Sequence, residues 1–285
     1  MTLFYSILYG IIQGITEFLP ISSSAHLAIM HHITGLDPNA NLAFDILLHV
    51  GTLVAVLSVY FKEILALIPA FFTLIAKFCR GLFKRDTEYL KFSNYTVNER
   101  LALLLIIATA PLALAVFDFV DGINTFARGS LIFIGAALFV NGFILFVSDR
   151  VARAKYDLET VRPRHALVVG LAQFIAIIPG LSRSGTTITG GLFAGMDRAT
   201  AVKFSFLMSI PAIIGASIME LPAFFRNIPG TQELAIYMAG AVAAAIVGFF
   251  AIKLLQYIAK KANFTMFAYY CWAVGLGVVV WGVVG

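Results

Sequence analysis

Charged residues and cysteines are scarce in this chain. Asp, Glu, Lys and Arg make up 12% of the 285 residues, whereas 60% are hydrophobic. A soluble domain carries about a quarter charged residues, so this composition excludes an ordinary soluble protein. The two cysteines, Cys79 and Cys271, lie far apart without the spacing of metal ligands. We interpret them as thiols that are buried or have no functional role.

Most of the chain consists of long apolar segments, and the mean hydropathy is +0.93. Each segment has roughly the 17–25 residues that cross a bilayer as a helix. Such lengths argue against the short alternating strands of an outer-membrane barrel. The N-terminus lacks a basic region, so no cleavable signal peptide is expected. The sequence therefore predicts an all-α integral membrane protein with a single membrane domain over residues 1–285.

The basic residues are concentrated and indicate the topology. Fifteen of the 20 Lys and Arg residues lie in three connecting segments: 62–100, 150–164 and 253–261. Cytoplasmic loops carry such an excess, so these segments are predicted to lie inside. The net charge of +5 is thereby interpreted as a topology signal and not as a nucleic-acid surface. Three connections poor in basic residues are predicted outside: those around Asp37, Asp118–Asp121 and Glu220–Glu233.

Six stretches are predicted as full-length spans: 42–61, 100–119, 129–148, 200–218, 234–255 and 265–284. Segment 64–78, flanked by Lys62 and Lys77, is predicted to be too short to span and either to lie along the inner face or only to dip into it. Segments 3–33 and 165–196 are apolar but interrupted by Pro, Ser and Gly. We predict two re-entrant helical hairpins there, the first entering from outside and the second from inside. Irregular backbone at this depth requires burial in protein or access to water.

The two interrupted segments resemble each other at an offset of 160 positions. Gly10, Gln13, Ser22 and Ser24 correspond to Gly170, Gln173, Ser182 and Ser184. The likeness continues into the next segment, where Asp45 and His49 match Ser205 and Ser209. Repeats that enter a membrane from opposite sides form an inverted-topology repeat, predicted here over about 1–150 and 160–285.

Each repeat is predicted to start a new helix beside a proline. Pro20 and Pro179 disfavour helix in the preceding residue, and the Ser residues that follow favour an N-cap. A helix start presents free N–H groups and the positive end of the helix dipole, which suits phosphate. Arg183 at the second start can make bidentate bonds to phosphate oxygens. The pattern predicts an anion site where the two starts meet.

Polar groups that suit phosphoryl chemistry surround these starts. Glu17 is expected either to bind a divalent cation or to handle a proton. A serine hydroxyl beside a base can attack phosphorus, and His26, three residues after Ser23, can move protons. Buried charge at bilayer depth is costly and indicates function. The candidate substrate-binding residues are Gln13, Ser22, Ser24, Ser182, Ser184, Gly185 and Thr186.

Two other functions fit the same pattern. Broken helices in inverted repeats are typical of secondary transporters, so a lipid-phosphate flippase or small-anion carrier is the main alternative. A structural membrane protein with polar helix contacts is the third reading. The hydroxyl, imidazole and carboxylate favour an enzyme, because a carrier does not need them.

At these residues the chain resembles the undecaprenyl-diphosphate phosphatases, also called bacitracin-resistance proteins, over essentially its whole length. The likeness rests on Gln13-Gly-Ile-Thr-Glu17-Phe-Leu-Pro20-Ile-Ser22-Ser23, on His26, and on Pro179-Gly-Leu-Ser-Arg-Ser-Gly185. The family's paired acidic motif has Glu or Gln at its first position, which is Gln13 here. Glu17 is thus left as the principal acid.

The resemblance implies hydrolysis of undecaprenyl diphosphate to undecaprenyl phosphate and phosphate, in support of cell-wall synthesis and bacitracin resistance. It implies a bacterial inner membrane, a site open to the outer face, and a divalent cation, Mg²⁺ or Ca²⁺, held with the help of Glu17. The catalytic set it implies is Glu17, Ser23, His26 and Arg183. The polyprenyl tail is expected to leave sideways between spans. A monomer and a homodimer both fit the sequence.

Overall fold

The computed structural model describes residues 1–36, 42–84, 86–116, 130–226, 229–261 and 263–284. Within them the chain is helical, and the strand-like pairing there is an isolated parallel bridge between Tyr156 and Met196. The α-helices of these residues are α1 (Leu3–Phe18), α2 (Ser23–Thr34), α3 (Leu42–Val59), α4 (Phe61–Lys84), α5 (Val97–Thr109), α6 (Leu131–Val151), α7 (Pro163–Ile175), α8 (Arg183–Phe193), α9 (Arg198–Arg226), α10 (Thr231–Lys261) and α11 (Thr265–Val284). A tighter 3-10 segment, Ala110–Val116, extends α5.

Six stretches of the described chain are long and apolar enough to cross a membrane. They are Phe61–Phe83, Val97–Leu114, Leu131–Val151, Arg198–Pro222, Thr231–Lys261 and Thr265–Val284. Five of them overlap predicted spans, which confirms the all-α membrane architecture.

The remaining stretch, Phe61–Phe83, corrects one prediction. Segment 64–78 is part of α4, a 24-residue helix, and is not too short to span. The flanking charge at Lys77 does not end the helix, because lysine is a good helix former and its Nζ lies 2.7 Å from Glu99 Oε2 on α5. By contrast, the segment predicted as span 42–61 forms α3, whose apolar part, Ala43–Val59, is shorter than the six candidate spans. The placement of α4 along the inner face stays a prediction.

The two interrupted segments are helical hairpins, as predicted. α1 packs against α2, and α7 packs against α8, each pair joined by an irregular turn. α1 also lies along α10, where a Cβ on Gly10 would overlap the carbonyl oxygen of Gly240. A glycine at this position therefore permits the two backbones to touch.

The 160-position offset continues into the helix boundaries. α1 and α7 begin at Leu3 and Pro163, while α2 and α8 begin at Ser23 and Arg183. The two hairpins also face each other, because both α2 and α8 pack against α6. The entry of the hairpins from opposite sides stays a prediction. The connections around Asp37 and Asp118–Asp121, the end of predicted span 100–119 and the first residue of 129–148 lie outside the described residues.

Candidate active site

The starts of α2 and α8 are capped in the same way. Ser22 Oγ accepts a hydrogen bond from the backbone N–H of Ala25 at 3.2 Å, and Ser182 Oγ accepts one from the N–H of Gly185 at 3.1 Å. Each cap accepts a hydrogen bond from one of the backbone N–H groups that have no partner within the helix. The other N–H groups of the first turn point outward from the helix start. Both predicted helix starts are confirmed.

The backbone before each cap is bent differently in the two repeats. Ser22 has φ 71°, whereas Ser182 has φ −83°. Positive φ is unfavourable for a residue with a Cβ, so the first repeat carries backbone strain beside the site. In the second repeat the positive φ of 96° falls on Gly180, which adopts it without a steric penalty.

Each hairpin holds the turn of the other. Ser24 Oγ accepts a hydrogen bond from the N–H of Gly180 at 3.1 Å, and Ser184 Oγ donates to the carbonyl of Leu19 at 3.2 Å. These bonds satisfy backbone groups that the breaks have released from helix. The two helix starts are therefore fixed next to each other.

Asn141 on α6 links the same two turns and is a residue that the sequence analysis missed. Its Nδ2 donates to the carbonyl of Pro20 at 2.9 Å, and its Oδ1 accepts from the N–H of Ser182 at 3.1 Å. The side chain is fully buried. An Asn within the apolar stretch 129–148 was the available signal, since intramembrane amides usually have a partner.

Glu17 is the centre of the polar contacts between the hairpins. Its Oε2 accepts from Ser23 Oγ at 2.7 Å and from Gln13 Nε2 at 3.1 Å. Its Oε1 accepts from the guanidinium of Arg183, which forms an ion pair with it across the two repeats. Both Glu17 and Arg183 are largely withdrawn from solvent, with side-chain exposures of 7% and 19%. Three predicted catalytic residues thus meet at one carboxylate.

A cavity of 350 Å³ opens at this carboxylate. Its polar lining consists of Glu17, Ser23, Ser24, Gln173, Arg183, Ser217, Glu220, His31, Asp45 and His49. The size lies within the range of small-molecule sites. A helix start, an arginine and a serine–carboxylate pair on one cavity wall give it the donors that a phosphate group needs.

The lining of the cavity also contains a second polar group, made by His31, Asp45 and His49. His31 Nε2 lies 3.7 Å from Asp45 Oδ1. His49 Nδ1 contacts the backbone oxygen of Asp45 in its own helix at 2.8 Å. The side-chain partner of Asp45 is therefore His31 on α2, which the sequence analysis had not considered.

Comparison with known proteins decides the family. Residues 6–277 match the family model described as bacitracin resistance protein BacA. The chain belongs to the BacA family. It is 40% identical over 280 residues to the undecaprenyl-diphosphatase of Alkaliphilus metalliredigens, covering 98% of each chain. It is 41% identical over 276 residues to that of Methanobrevibacter smithii, covering 97% of this chain and 96% of the relative.

His26, a predicted catalytic residue, is not among the described residues that line the cavity at Glu17. Its Nδ1 contacts the carbonyl of Ser22 at 2.7 Å, and its Nε2 contacts the hydroxyl of Tyr270 at 2.7 Å. The ring also stacks on Tyr270, with 5.7 Å between the centroids. Because a carbonyl only accepts, Nδ1 carries the proton of a neutral ring and Nε2 accepts from tyrosine. The titratable group that Ser23 Oγ contacts is the carboxylate of Glu17, and the catalytic role of His26 stays a prediction.

The other candidate binding residues of this BacA chain surround the cavity without lining it, except for Ser24. Ser22 and Ser182 act as caps, and Ser184 holds the turn of the first hairpin. Gly185 and Thr186 lie in the first turn of α8, and Thr186 Oγ1 has no partner among the described residues. Gln13 is fully buried. Contact of Gln13, Ser22, Ser182, Ser184, Gly185 and Thr186 with substrate stays a prediction.

Gln173, the repeat mate of Gln13, lines the cavity and was left out of the predicted set. It is 2% exposed, and neither its Oε1 nor its Nε2 has a partner within the described chain. A buried amide without partners is costly in a folded protein. The sequence signal for Gln173 was the 160-position offset, which pairs it with Gln13. Gln13 donates a hydrogen bond to Glu17 at the site.

Proposed function

We propose that this chain is a membrane phosphatase that hydrolyses undecaprenyl diphosphate to undecaprenyl phosphate and inorganic phosphate. Its membership in the BacA family and its identity of about 40% to undecaprenyl-diphosphatases support the substrate. The observation that carries the chemistry is the convergence of Ser23, Glu17 and Arg183 on one cavity wall. The reaction would return the lipid carrier to cell-wall synthesis and thereby confer bacitracin resistance.

Ser23 is the nucleophile of the proposed reaction, and Glu17 is its base. The hydroxyl already donates to the carboxylate at 2.7 Å, the reach at which a positioned base activates serine. Oγ attacks the terminal phosphorus and transfers its proton to Glu17. The phosphorus–oxygen bond of the anhydride breaks, and its electron pair leaves with undecaprenyl phosphate.

Water completes the proposed cycle. Glu17, now protonated, returns its proton to Ser23 as water attacks the phosphoserine, and inorganic phosphate leaves. Direct attack by water on the substrate, with Ser23 only as a ligand, uses the same groups. Trapping of labelled phosphate on Ser23 supports the covalent route, and near-normal turnover by Ser23→Ala excludes it.

Arg183 and the helix starts are assigned to the phosphate oxygens. A guanidinium has five N–H donors in a fixed fork, so Arg183 can hold Glu17 and still donate to a phosphoryl group. Gln173, whose amide has no partner within the described residues, also lines the cavity. Donors aimed at developing charge in a site shielded from water are a main source of catalysis.

A divalent cation, Mg²⁺ or Ca²⁺, is proposed to accompany the diphosphate. The described residues contain no cluster of three or more His, Cys, Asp or Glu that could hold a metal. The residues fit a cation that is bound largely by the substrate, because Mg²⁺ usually takes one or two carboxylates plus phosphate oxygens. Glu17, whose carboxylate lines the cavity, would be its protein ligand. When bound, the cation neutralises charge on the phosphates.

The chain is a multi-pass membrane protein with six candidate spans among its described residues. We propose that it lies in the bacterial inner membrane with the cavity open to the outer side, as its membership in the BacA family implies. Its action on a polyprenyl diphosphate at the bilayer fits a polar cavity surrounded by apolar helices. Assembly as a homodimer is a separate proposal that cross-linking in membranes would test.

Phosphate release by the purified protein tests the proposed function. Undecaprenyl diphosphate is added in detergent, with and without a chelator, and inorganic phosphate is measured. Release that requires a divalent cation and is lost in Glu17→Gln supports the phosphatase. A folded protein that releases no phosphate, yet moves lipid phosphate across vesicles, would favour the transporter that shares this architecture.

A further inference from the structure

His49 is a titratable residue of the cavity to which the proposed reaction assigns no role. It lies on α3, one turn after Asp45, and lines the cavity together with Glu17, Ser23 and Arg183. An ionisable side chain at membrane depth is costly and marks a candidate for function. The contacts of its two ring nitrogens indicate which function this is.

The two ring nitrogens of His49 differ in their contacts. Nδ1 lies 2.8 Å from the backbone oxygen of Asp45. Because a carbonyl oxygen only accepts, Nδ1 carries the proton of the neutral ring and Nε2 keeps its lone pair. Nε2 has no hydrogen-bond partner among the described residues. The helix backbone thus fixes the tautomer in which His49 offers a basic nitrogen.

His49 is also near Glu17, the proposed base of Ser23. It lies within electrostatic range of this carboxylate. The carboxylate is bonded to Gln13, Ser23 and Arg183, and no hydrogen bond joins it to His49 within the described chain. His49 can therefore act on a molecule in the cavity while Glu17 keeps its own contacts.

The other histidines are less suited to act in the cavity. Three of them do not line it: His26, His32 and His165. His31 lines the cavity, but its Nε2 lies 3.7 Å from Asp45 Oδ1 and faces that carboxylate. His49 forms no such pair in the part of the chain that the structure describes. Its Nε2 is therefore available to a bound molecule.

The second repeat has no base at the corresponding position. Ser209, 160 positions after His49, is fully buried and donates to the carbonyl of Phe206 in its own helix at 2.7 Å. The same division occurs between Glu17 and Ile177, which share the offset. At both pairs of positions the group that accepts protons belongs to the first repeat.

The proposed reaction leaves one proton without an acceptor. Glu17 takes the proton of Ser23 in the first step, so it is protonated when water attacks the phosphoserine. Water must lose a proton as its oxygen bonds to phosphorus, and a protonated carboxyl group cannot take it. A second base in the cavity would solve this problem.

We propose that Nε2 of His49 is the base that takes the proton of the attacking water. The oxygen of water bonds to phosphorus, and its proton passes to Nε2. The bond between phosphorus and Ser23 Oγ breaks, and its electron pair takes the proton of Glu17. Inorganic phosphate leaves, and His49 releases its proton to water in the cavity. The inference rests on the proposed function for its reaction.

His49→Ala tests this base, and His32→Ala is its matched control. His32 is exposed and packs edge-on against Trp281, outside the cavity. A general base contributes about 10²–10⁴-fold to the rate, so kcat for undecaprenyl diphosphate should fall by about this factor in His49→Ala. The control should stay near the wild-type value. Thermal unfolding in detergent verifies that both variants fold.

His49→Gln is the second variant, because it keeps a side chain of similar length without a basic nitrogen. Its kcat should fall as far as that of His49→Ala. Turnover near the wild-type rate in folded His49→Gln would overturn the proposal, since phosphate or Glu17 would then take the proton.

Chemical rescue separates a base from a structural side chain. Imidazole can enter the space left in His49→Ala, so it should restore part of kcat in proportion to the concentration of its neutral form. It should not restore Ser23→Ala, which lacks the nucleophile. A folded His49→Ala enzyme that stays slow at every imidazole concentration would overturn the role as base.

Labelled phosphoenzyme locates the step. Undecaprenyl diphosphate labelled in its terminal phosphate is mixed with the protein and quenched with acid. His49→Gln should accumulate more phosphoserine on Ser23 than the wild type, because only the second step is slowed. The absence of accumulation would overturn the assignment.

The wild-type protein distinguishes this inference from the proposed function. A folded wild type that releases no phosphate would overturn the phosphatase and, with it, the step assigned to His49. Wild-type release that both His49 variants retain would overturn the inference alone.

Discussion

Glu17 and Arg183, 166 positions apart, form an ion pair that joins the two hairpins. Both charged side chains are largely shielded from solvent. Each is the ion-pair partner of the other among the described residues. Loss of one partner leaves a buried charge unpaired, which typically costs about 3–5 kcal/mol.

We therefore expect a strong coupling between Glu17 and Arg183. Glu17→Ala and Arg183→Ala should each destabilise the protein, and the double variant should be less destabilised than the sum of the two. Thermal or denaturant unfolding in detergent measures this cycle. Activity should fall on the order of 10²–10³-fold or more in each variant. Additive losses of stability would mean that the pair is not formed.

Asn141→Ala should loosen both hairpin turns. It removes one hydrogen bond to Pro20 and one from Ser182. The N–H of Ser182 then loses its side-chain acceptor, at about 1–3 kcal/mol, and the carbonyl of Pro20 keeps only the weak thiol donor of Cys271 at 3.9 Å within the described residues. Ser148→Ala is the control on the same helix, because Ser148 Oγ is buried but bonds only the carbonyl of Leu145. Unfolding midpoints should fall clearly for Asn141→Ala and little for Ser148→Ala. Equal midpoints would remove Asn141 as a link between the hairpins.

The two caps should respond differently to glycine. At Ser182 both Ala and Gly lose the cap bond, and Gly costs less by a few tenths to about 1 kcal/mol. At Ser22, glycine also adopts the positive φ of 71° without strain. This should add about 1–3 kcal/mol to the stability of the Gly variant relative to the Ala variant. The stability difference between Gly and Ala variants should therefore be larger at Ser22 than at Ser182. The same difference at both positions would show that Ser22 stores no strain.

Gln173→Leu should separate binding from folding. The amide has no partner within the described residues, so an apolar side chain of similar size should leave stability unchanged or raise it. If the amide holds phosphate, kcat/KM should fall about 10-fold, the loss of roughly one hydrogen bond to a charged group. Gln173→Glu should be worse, because it places a second negative charge near the diphosphate. Unchanged kcat/KM in both variants would remove Gln173 from the site.

Tyr270→Phe should reveal whether His26 moves protons. It removes the hydroxyl from His26 Nε2 and keeps the aromatic ring against which the imidazole stacks. A catalytic His26 would then show a shifted pH profile of kcat/KM. A structural His26 would show a changed unfolding midpoint and the same pH profile.

The sequence by itself determined the class of protein and the elements of the site. Composition and segment length indicate a helical membrane protein because hydrocarbon must surround each span. Pro20 and Pro179 followed by Ser locate two helix starts because their local chemistry excludes a continuous helix. The 160-position offset relates the two starts without knowledge of their positions in space.

Only the tertiary structure decided which groups meet. The pairing of Ser23 with Glu17 depends on the turn that joins α1 to α2. The orientation of His26 toward Tyr270 and the link through Asn141 depend on helix packing between distant parts of the chain. Residue spacing specifies neighbours within one helix, not across helices. The length of α4 was also misjudged from sequence, because the partner that Lys77 finds in Glu99 is a tertiary contact.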